Sequence, residues 1–237
     1  MTNASPIALN IASLRGQIAT IATQHSRDAD SICLLAVSKT RSAGEVAEAV
    51  AAGCHHIGEN YLQEALAKQA ELRAWAETPE IHWHFIGPIQ SNKTRDIAEN
   101  FAWVHSVDRM KVARRLSEQR PDKLPPLNIC LQVNISGETS KSGFRPEEVV
   151  DAAADIIALP QLRLRGLMAI PAAEDDPARQ RRSFAKLRAL RDTLQKTYPA
   201  LTLDTLSMGM SGDMAAAIAE GSTCLRIGTA IFGPRRR

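Results

Sequence analysis

The sequence of 237 residues lacks a strong net charge, a paired-cysteine motif and a long apolar segment. A formal net charge of +3 is too small to indicate nucleic acid or a membrane surface as a partner. The four cysteines, Cys33, Cys54, Cys130 and Cys224, form no C-x-x-C pair, so the sequence predicts neither a metal site nor a redox motif. No apolar stretch is long enough to span a bilayer, and residues 1–6 lack a basic signal region. We therefore expect a cytoplasmic protein whose thiols stay reduced.

Short apolar runs alternate with helical patterns along the chain. An amphipathic helix is predicted at residues 7–24, and eight strand-like runs separated by helical segments follow it. The strand-like runs are residues 32–38, 55–58, 83–87, 103–106, 128–135, 162–170, 205–209 and 224–228. The helical segments are residues 44–52, 61–76, 91–100, 109–119, 146–158, 177–197 and 212–220. This order and the length predict a single (β/α)8 TIM barrel over residues 1–237, with a doubly wound open sheet as the alternative.

Lys39 follows the most apolar of these runs. Residues 32–38 read as a strand buried on both faces, and in a barrel the carboxyl ends of the strands meet at the rim that carries the chemistry. Partial burial disfavours the charged form of a lysine, and a neutral amine can form a Schiff base with an aldehyde. The alternative is a lysine that marks the strand end and extends into water.

The last two strands are followed by residue types that bind anions. Ser211 is expected at the N-cap of the helix after strand seven, where its hydroxyl and the backbone N–H groups can hold a phosphate. Gly228 and Thr229 begin a turn after strand eight, and barrels often bind phosphate with the loops after these two strands. Two ordinary helix starts would give the same pattern.

Arg226 lies inside the eighth strand, between Leu225 and Ile227. If those two side chains face the helices, the guanidinium points into the lumen and needs an acceptor, either a ligand or an acid such as Glu59. His84, from the pair at positions 82 and 84, is expected near the rim, and no metal is predicted because a third ligand is lacking.

Several longer motifs, in the right order, resemble the pyridoxal phosphate homeostasis protein family over nearly the whole chain. The matching segments are residues 35–40 (LAVSKT), 58–64 (GENYLQE), 83–93 (WHFIGPIQSNK), 133–135 (VNI), 141–144 (KSGF), 166–168 (GLM), 206–211 (LSMGMS) and 226–233 (RIGTAIFG).

This resemblance implies a barrel of the alanine racemase N-terminal type (fold type III) that binds pyridoxal 5'-phosphate (PLP), preceded by an extra helix. It implies that Lys39 is the Schiff-base lysine and that Arg226 faces the pyridine nitrogen. The same resemblance places Ser211, Gly228 and Thr229 on the phosphate, and it makes Asn60 and Met208 part of the pocket wall.

The expected role is that of a non-catalytic protein that buffers or delivers PLP. A cationic arginine disfavours protonation of the pyridine nitrogen and weakens the ring as an electron sink. The sequence also ends soon after strand eight, which suggests that the second catalytic domain of alanine racemase is missing. We expect a monomer whose partners are PLP and PLP-dependent apo-enzymes. The alternatives are a PLP-dependent racemase or decarboxylase, a Schiff-base aldolase without cofactor, and a structural barrel.

Overall fold

Eight parallel strands form a closed barrel in chain order, from β1 to β8. The computed structural model describes residues 4–75, 80–138 and 141–234. The strands are β1 (Cys33–Val37), β2 (His56–Glu59), β3 (His82–Phe85), β4 (Trp103–Val107), β5 (Leu127–Gln132), β6 (Leu162–Met168), β7 (Thr205–Ser207) and β8 (Cys224–Ile227). The helices are α1 (Pro6–Gln24), α2 (Ala43–Ala51), α3 (Leu62–Arg73), α4 (Thr94–Asn100), α5 (Met110–Gln119), α6 (Val149–Ile157), α7 (Pro177–Thr197), α8 (Met214–Ala219) and α9 (Thr229–Phe232). The closure of the sheet confirms the TIM barrel and excludes the doubly wound alternative.

The period-two alternation of each strand separates two apolar environments. In β8, Leu225 and Ile227 are fully buried in the main core between the strands and the helices. Cys224 lies instead with Leu35 in a smaller cluster. These placements confirm that Arg226, between Leu225 and Ile227, faces the lumen.

Helix α1 precedes the eight repeats, as predicted. It begins one residue before the predicted start, where the Ser5 hydroxyl accepts from the backbone N–H of Ala8 and Pro6 occupies the first turn. Its apolar side, including Ile11 and Ile18, packs the helix against α2, α8 and α9. Helix α7 has the predicted bounds. Helix α3 ends at Arg73, three residues before the predicted end, and Ala76 lies outside the described residues.

Helix α8 corrects one expectation. It begins at Met214 with Asp213 as its N-cap residue, so Ser211 lies in the turn before the helix and is not its cap. Asp213 accepts a hydrogen bond from the backbone N–H of Met210 at 2.6 Å, which closes this turn and sets the helix start later than the sequence predicted. In the part of the chain that the structure describes, no helix is both long and apolar enough to cross a membrane.

Candidate functional site

Four neighbouring strands bring most of the predicted site residues to one edge of the barrel. The order β7-β8-β1-β2 is continuous around the closed sheet. At the carboxyl ends of these strands lie, in the same order, the segment 208–211, Gly228 with Thr229, Lys39 and Asn60. Lys39 is half-buried, and Ser211 and Thr229 are exposed. Because parallel strands end on the same side, these residues share the rim where barrels carry their chemistry.

A buried ammonium group fixes the residue before Lys39. Lys68, on α3, is 5% exposed and donates to the carbonyl oxygen of Ser38 at 2.6 Å and to Oε1 of Glu59 at 2.5 Å. The Ser38 hydroxyl donates to the same Glu59 oxygen at 2.5 Å. Burial raises the pKa of Glu59. The charge of Lys68 and the hydrogen bonds that Lys68 and Ser38 donate to the Glu59 carboxylate oppose this rise. Ser38 is therefore tied to β2 and to α3 at once.

The residue after Lys39 is held by the same network. Thr40 has φ of +65°, a left-handed conformation that is costly for a β-branched residue. Its backbone N–H donates at 2.5 Å to Glu64, whose carboxylate also pairs with Lys68 at 2.7 Å. This network is not predictable from the sequence pattern. Its signal is the i, i+4 spacing of Glu64 and Lys68 on a predicted helix, which is common on helix surfaces and does not reveal burial.

Asn60 is positioned by close contact between its backbone and the backbone of Gly87, after β3. A Cβ atom added to Gly87 would lie 2.2 Å from the backbone oxygen of Asn60, so only glycine lets the segment after β3 pass the end of β2. The Oδ1 atom of Asn60 is buried and has no hydrogen-bond partner. Buried polar atoms without a partner are uncommon, and one at a strand end is consistent with a ligand that completes the hydrogen bond.

Gly228 lies against β1. A Cβ atom there would lie 3.2 Å from the carbonyl oxygen of Val37, two residues before Lys39. On its other side, β8 is tied to the loop after β7, because the backbone N–H of Arg226 donates to the carbonyl of Gly209 at 3.0 Å. The loop that carries Ser211 and the turn at Gly228 and Thr229 are thus next to each other.

Arg226 is buried in the lumen and donates to acceptors on two strand ends. One terminal nitrogen donates to the hydroxyl of Ser207 at 2.9 Å and to its carbonyl at 2.5 Å, and the other donates to the carbonyl of Ala169 at 2.9 Å. The proposed ion pair with Glu59 is wrong, because Glu59 pairs with Lys68. The three oxygens that accept from this guanidinium are therefore uncharged. Burial lowers the pKa of Arg226, and the nearby Cys224 and Asp213 oppose this shift.

Three histidines continue this hydrogen-bonded arrangement toward the amino ends of the strands. His105 Nδ1 lies 2.7 Å from Ser207 Oγ, His84 Nδ1 lies 2.8 Å from His105 Nε2, and His56 Nδ1 lies 2.9 Å from His84 Nε2. Burial and the charge of Arg226 lower the pKa of His105 to about 3, and burial lowers the pKa of His84. The placement of His84 near the rim is wrong, since it lines a cavity at the amino ends of the strands. Among the described residues, no three histidine, cysteine or acidic side chains are placed to hold a metal ion.

Met208 is the least direct member of the predicted set. Its side chain is fully buried in the core between barrel and helices, next in sequence to the lumen-facing Ser207. Its main chain is therefore the part that reaches the rim.

The donor set fits an aldehyde that carries a phosphate group and a ring nitrogen. Lys39 supplies an amine at the rim, and the turns at Ser211 and at Gly228 and Thr229 supply hydroxyl and backbone donors for an anion. Arg226 supplies a cation inside the lumen, and Asn60 supplies a buried amide oxygen without a partner. These are the features of PLP that the four strand ends can address together.

Comparisons with known proteins give consistent matches along the chain. Residues 9–236 match the family model described as alanine racemase, N-terminal domain. A curated relative from Pseudomonas aeruginosa, named pyridoxal phosphate homeostasis protein, is 60% identical over 98% of this chain and 96% of its own length. The Escherichia coli K12 protein of the same name is 51% identical over 97% of each chain.

Solved structures agree with this picture at two levels of similarity. PipY of Synechococcus elongatus, in a structure with PLP bound, is 39% identical, with a TM-score of 0.82 over 96% of this chain and 100% of that chain. Alanine racemase from Corynebacterium glutamicum is 16% identical, with a TM-score of 0.64 over 95% of this chain and 60% of that chain. The second likeness concerns the barrel fold alone.

Proposed function

Because this chain belongs to the pyridoxal phosphate homeostasis protein family, we propose that it binds PLP through the Nζ amine of Lys39 and buffers or delivers the cofactor. The observation that carries the proposal is the convergence of Lys39, Asn60 and the loops after β7 and β8 above the buried Arg226. The relative PipY, whose solved structure contains PLP, supports the same choice of ligand.

Each strand end has a proposed part in binding. Ser211, Gly228 and Thr229 hold the phosphate with hydroxyl and backbone donors. Arg226 faces the pyridine nitrogen, and Asn60 and the main chain of Met208 line the ring. PLP supplies the aldehyde and an electron-withdrawing ring, and the residues of this chain supply its orientation and electrostatics.

A carrier role fits the charge distribution better than carbanion chemistry does. Arg226 is cationic, and the histidine next to it in the hydrogen-bonded chain, His105, is kept neutral by its low pKa. Glu59, at the end of β2, is engaged by Lys68 and by Ser38, so it is not free to protonate the pyridine nitrogen. A ring that stays unprotonated is a weak electron sink, so we propose that the protein holds the cofactor without turning over amino acids.

The recipients of the cofactor are proposed to be PLP-dependent apo-enzymes, and the protein is proposed to act as a cytoplasmic monomer. Size-exclusion chromatography with light scattering tests the oligomeric state.

The test of the function combines two assays on the purified protein. Loaded protein, freed of unbound PLP by gel filtration, is mixed with an apo-transaminase, and recovery of transaminase activity is followed over time. Separately, exchange of the α-proton of amino acids is measured in deuterium oxide. We expect recovery of the transaminase and exchange no faster than with free PLP.

Two outcomes would overturn the proposal. A visible absorption band that is unchanged in Lys39→Ala would refute the binding site. Stereospecific α-proton exchange well above the rate with free PLP would identify a racemase or decarboxylase instead.

A further inference from the structure

Cys33 and Cys224 lie side by side in the lumen, two residues closer to the amino ends of the strands than Arg226. They are direct partners in the register of β1 and β8, and their thiols are hydrogen-bonded to each other. Neighbouring strands are about 4.8 Å apart, which falls inside the range of roughly 4.4–6.8 Å that Cα atoms joined by a disulfide span. Both cysteines are free thiols in this structure.

A cavity gives small molecules access to this pair. It has a volume of about 1080 Å³, lies at the amino ends of the strands and is lined by both Cys33 and Cys224. The other two cysteines differ from this pair. Cys130 is fully buried on β5, across the barrel from β8. Cys54 also lines the cavity, but it lies before β2, and its buried thiol donates to the carbonyl of Leu34 at 3.3 Å.

The surroundings distinguish the two thiols chemically. The hydrogen bond from Cys33 lowers the pKa of Cys224, and the charge of Arg226 and a hydrogen bond from Ser207 add to this against the effect of burial. The pKa of Cys33 is raised by its hydrogen bond with Cys224 and by burial. Because the charge of Arg226 and the Ser207 hydroxyl act on Cys224, we expect Cys224 to ionise first, and the thiolate is the nucleophile in thiol chemistry.

We propose that Cys33 and Cys224 form a thiol–disulfide site that peroxides oxidise through this cavity. The Cys224 thiolate attacks one peroxide oxygen, the O–O bond breaks, and the other oxygen leaves as water after taking up a proton. Cys224 is then a sulfenic acid. The Cys33 sulfur attacks it, the S–O bond breaks, the S–S bond forms, and the hydroxyl leaves as water with the thiol proton. Two thiols lose two electrons and two protons, and one peroxide becomes two waters.

The disulfide would join β1 to β8 at the first residue of each strand, at their amino ends. Register partners on parallel strands hold their Cβ atoms farther apart than the mean of about 3.8 Å found in disulfides. Closure therefore draws the two strands together, and a thiol reductant should reverse it readily. The proposal concerns the protein without cofactor and does not depend on PLP binding.

The experiment treats the reduced, folded apo-protein with hydrogen peroxide, blocks remaining thiols with N-ethylmaleimide and maps peptides without reduction. We expect a peptide pair joined through Cys33 and Cys224, restored to free thiols by dithiothreitol, with Cys54 and Cys130 alkylated only after unfolding. Circular dichroism before alkylation verifies that the protein is folded.

Matched variants sharpen the test. Cys54→Ser should form the same disulfide at the same rate, whereas Cys33→Ser should leave Cys224 as a sulfenic acid that dimedone traps. The proposal is overturned if Cys33 and Cys224 remain alkylatable in the folded, peroxide-treated protein. A disulfide that joins Cys224 to Cys130 would overturn it as well.

Discussion

Replacing Lys68 with methionine removes the ammonium group that ties both neighbours of Lys39 to the barrel. Lys68 lies within 2.7 Å of the Glu59 carboxylate, the Ser38 carbonyl and the Glu64 carboxylate. The Glu59 side chain is fully buried, so the change leaves an uncompensated charge in the interior. Breaking a buried ion pair in this way costs about 3–5 kcal/mol. The half-exposed Glu64 adds little, about 0.5 kcal/mol, because solvent screens it.

The assay is urea unfolding followed by far-UV circular dichroism. Lys68→Met should lower the free energy of unfolding by about 3–5 kcal/mol near pH 8. Since burial already raises the pKa of Glu59, its carboxyl group can take up a proton once the lysine is gone, and the loss should be smaller near pH 5. Hydrogen exchange should also be faster at residues 38–40.

The double variant Glu59→Gln, Lys68→Met is the matched control. It removes both charges, so it should be more stable than Lys68→Met alone. The reasoning is refuted if Lys68→Met costs less than about 1 kcal/mol, which is the range of exposed pairs. It is also refuted if the double variant is no more stable than the single one.

Three further changes test other parts of the account. Because the pKa values of His105 and His84 are lowered in the folded protein, both imidazoles take up protons on unfolding. As the pH falls below 6.5, the free energy of unfolding should therefore decrease by about 1.4 kcal/mol per pH unit for each group. In urea titrations, the free energy of unfolding of His105→Asn should depend less steeply on pH. Gly87→Ala places a methyl group against the Asn60 carbonyl and should cost about 1–3 kcal/mol in urea unfolding, with no loss as the contrary result. Arg226→Lys removes the planar guanidinium whose two terminal nitrogens donate to Ser207 and Ala169. It should weaken PLP binding about tenfold in an absorbance titration. Unchanged affinity would contradict the proposed contact.

Much of the fold could be predicted from local patterns in the sequence. The alternation of Leu225 and Ile227 with Arg226 was enough to place the guanidinium in the lumen, because a strand has a period of two. The start of α7 was predictable from Asp176 and Pro177, which are strong helix-start residues.

The partners of buried charges could not be predicted in the same way. Which lumen side chains meet depends on the stagger of the barrel strands, and a sequence does not specify that stagger. Glu59 was therefore one candidate partner of Arg226, although the stagger directs Arg226 to Ser207 and Ala169. Ser211 was assigned as an N-cap because Ser211 and Asp213 are equally good caps, and only the hydrogen bond from Met210 to Asp213 decides between them.

The site residues themselves came from the motifs of a family and from strand ends. Lys39, Gly228 and Asn60 lie at the predicted edge, but their roles toward PLP remain predictions. Lys68 was missed because burial of a helix lysine depends on a carboxylate from a neighbouring strand, Glu59, which no local pattern connects to it.

The most direct test of the central claim is borohydride reduction of the protein loaded with PLP, followed by peptide mapping. Borohydride converts a Schiff base into a stable secondary amine, so the modified lysine can be identified after digestion. The account predicts a single pyridoxyl-phosphate adduct, on Lys39, and none on Lys68 or in the variant Lys39→Ala. An adduct on another lysine with Lys39 unmodified would contradict it.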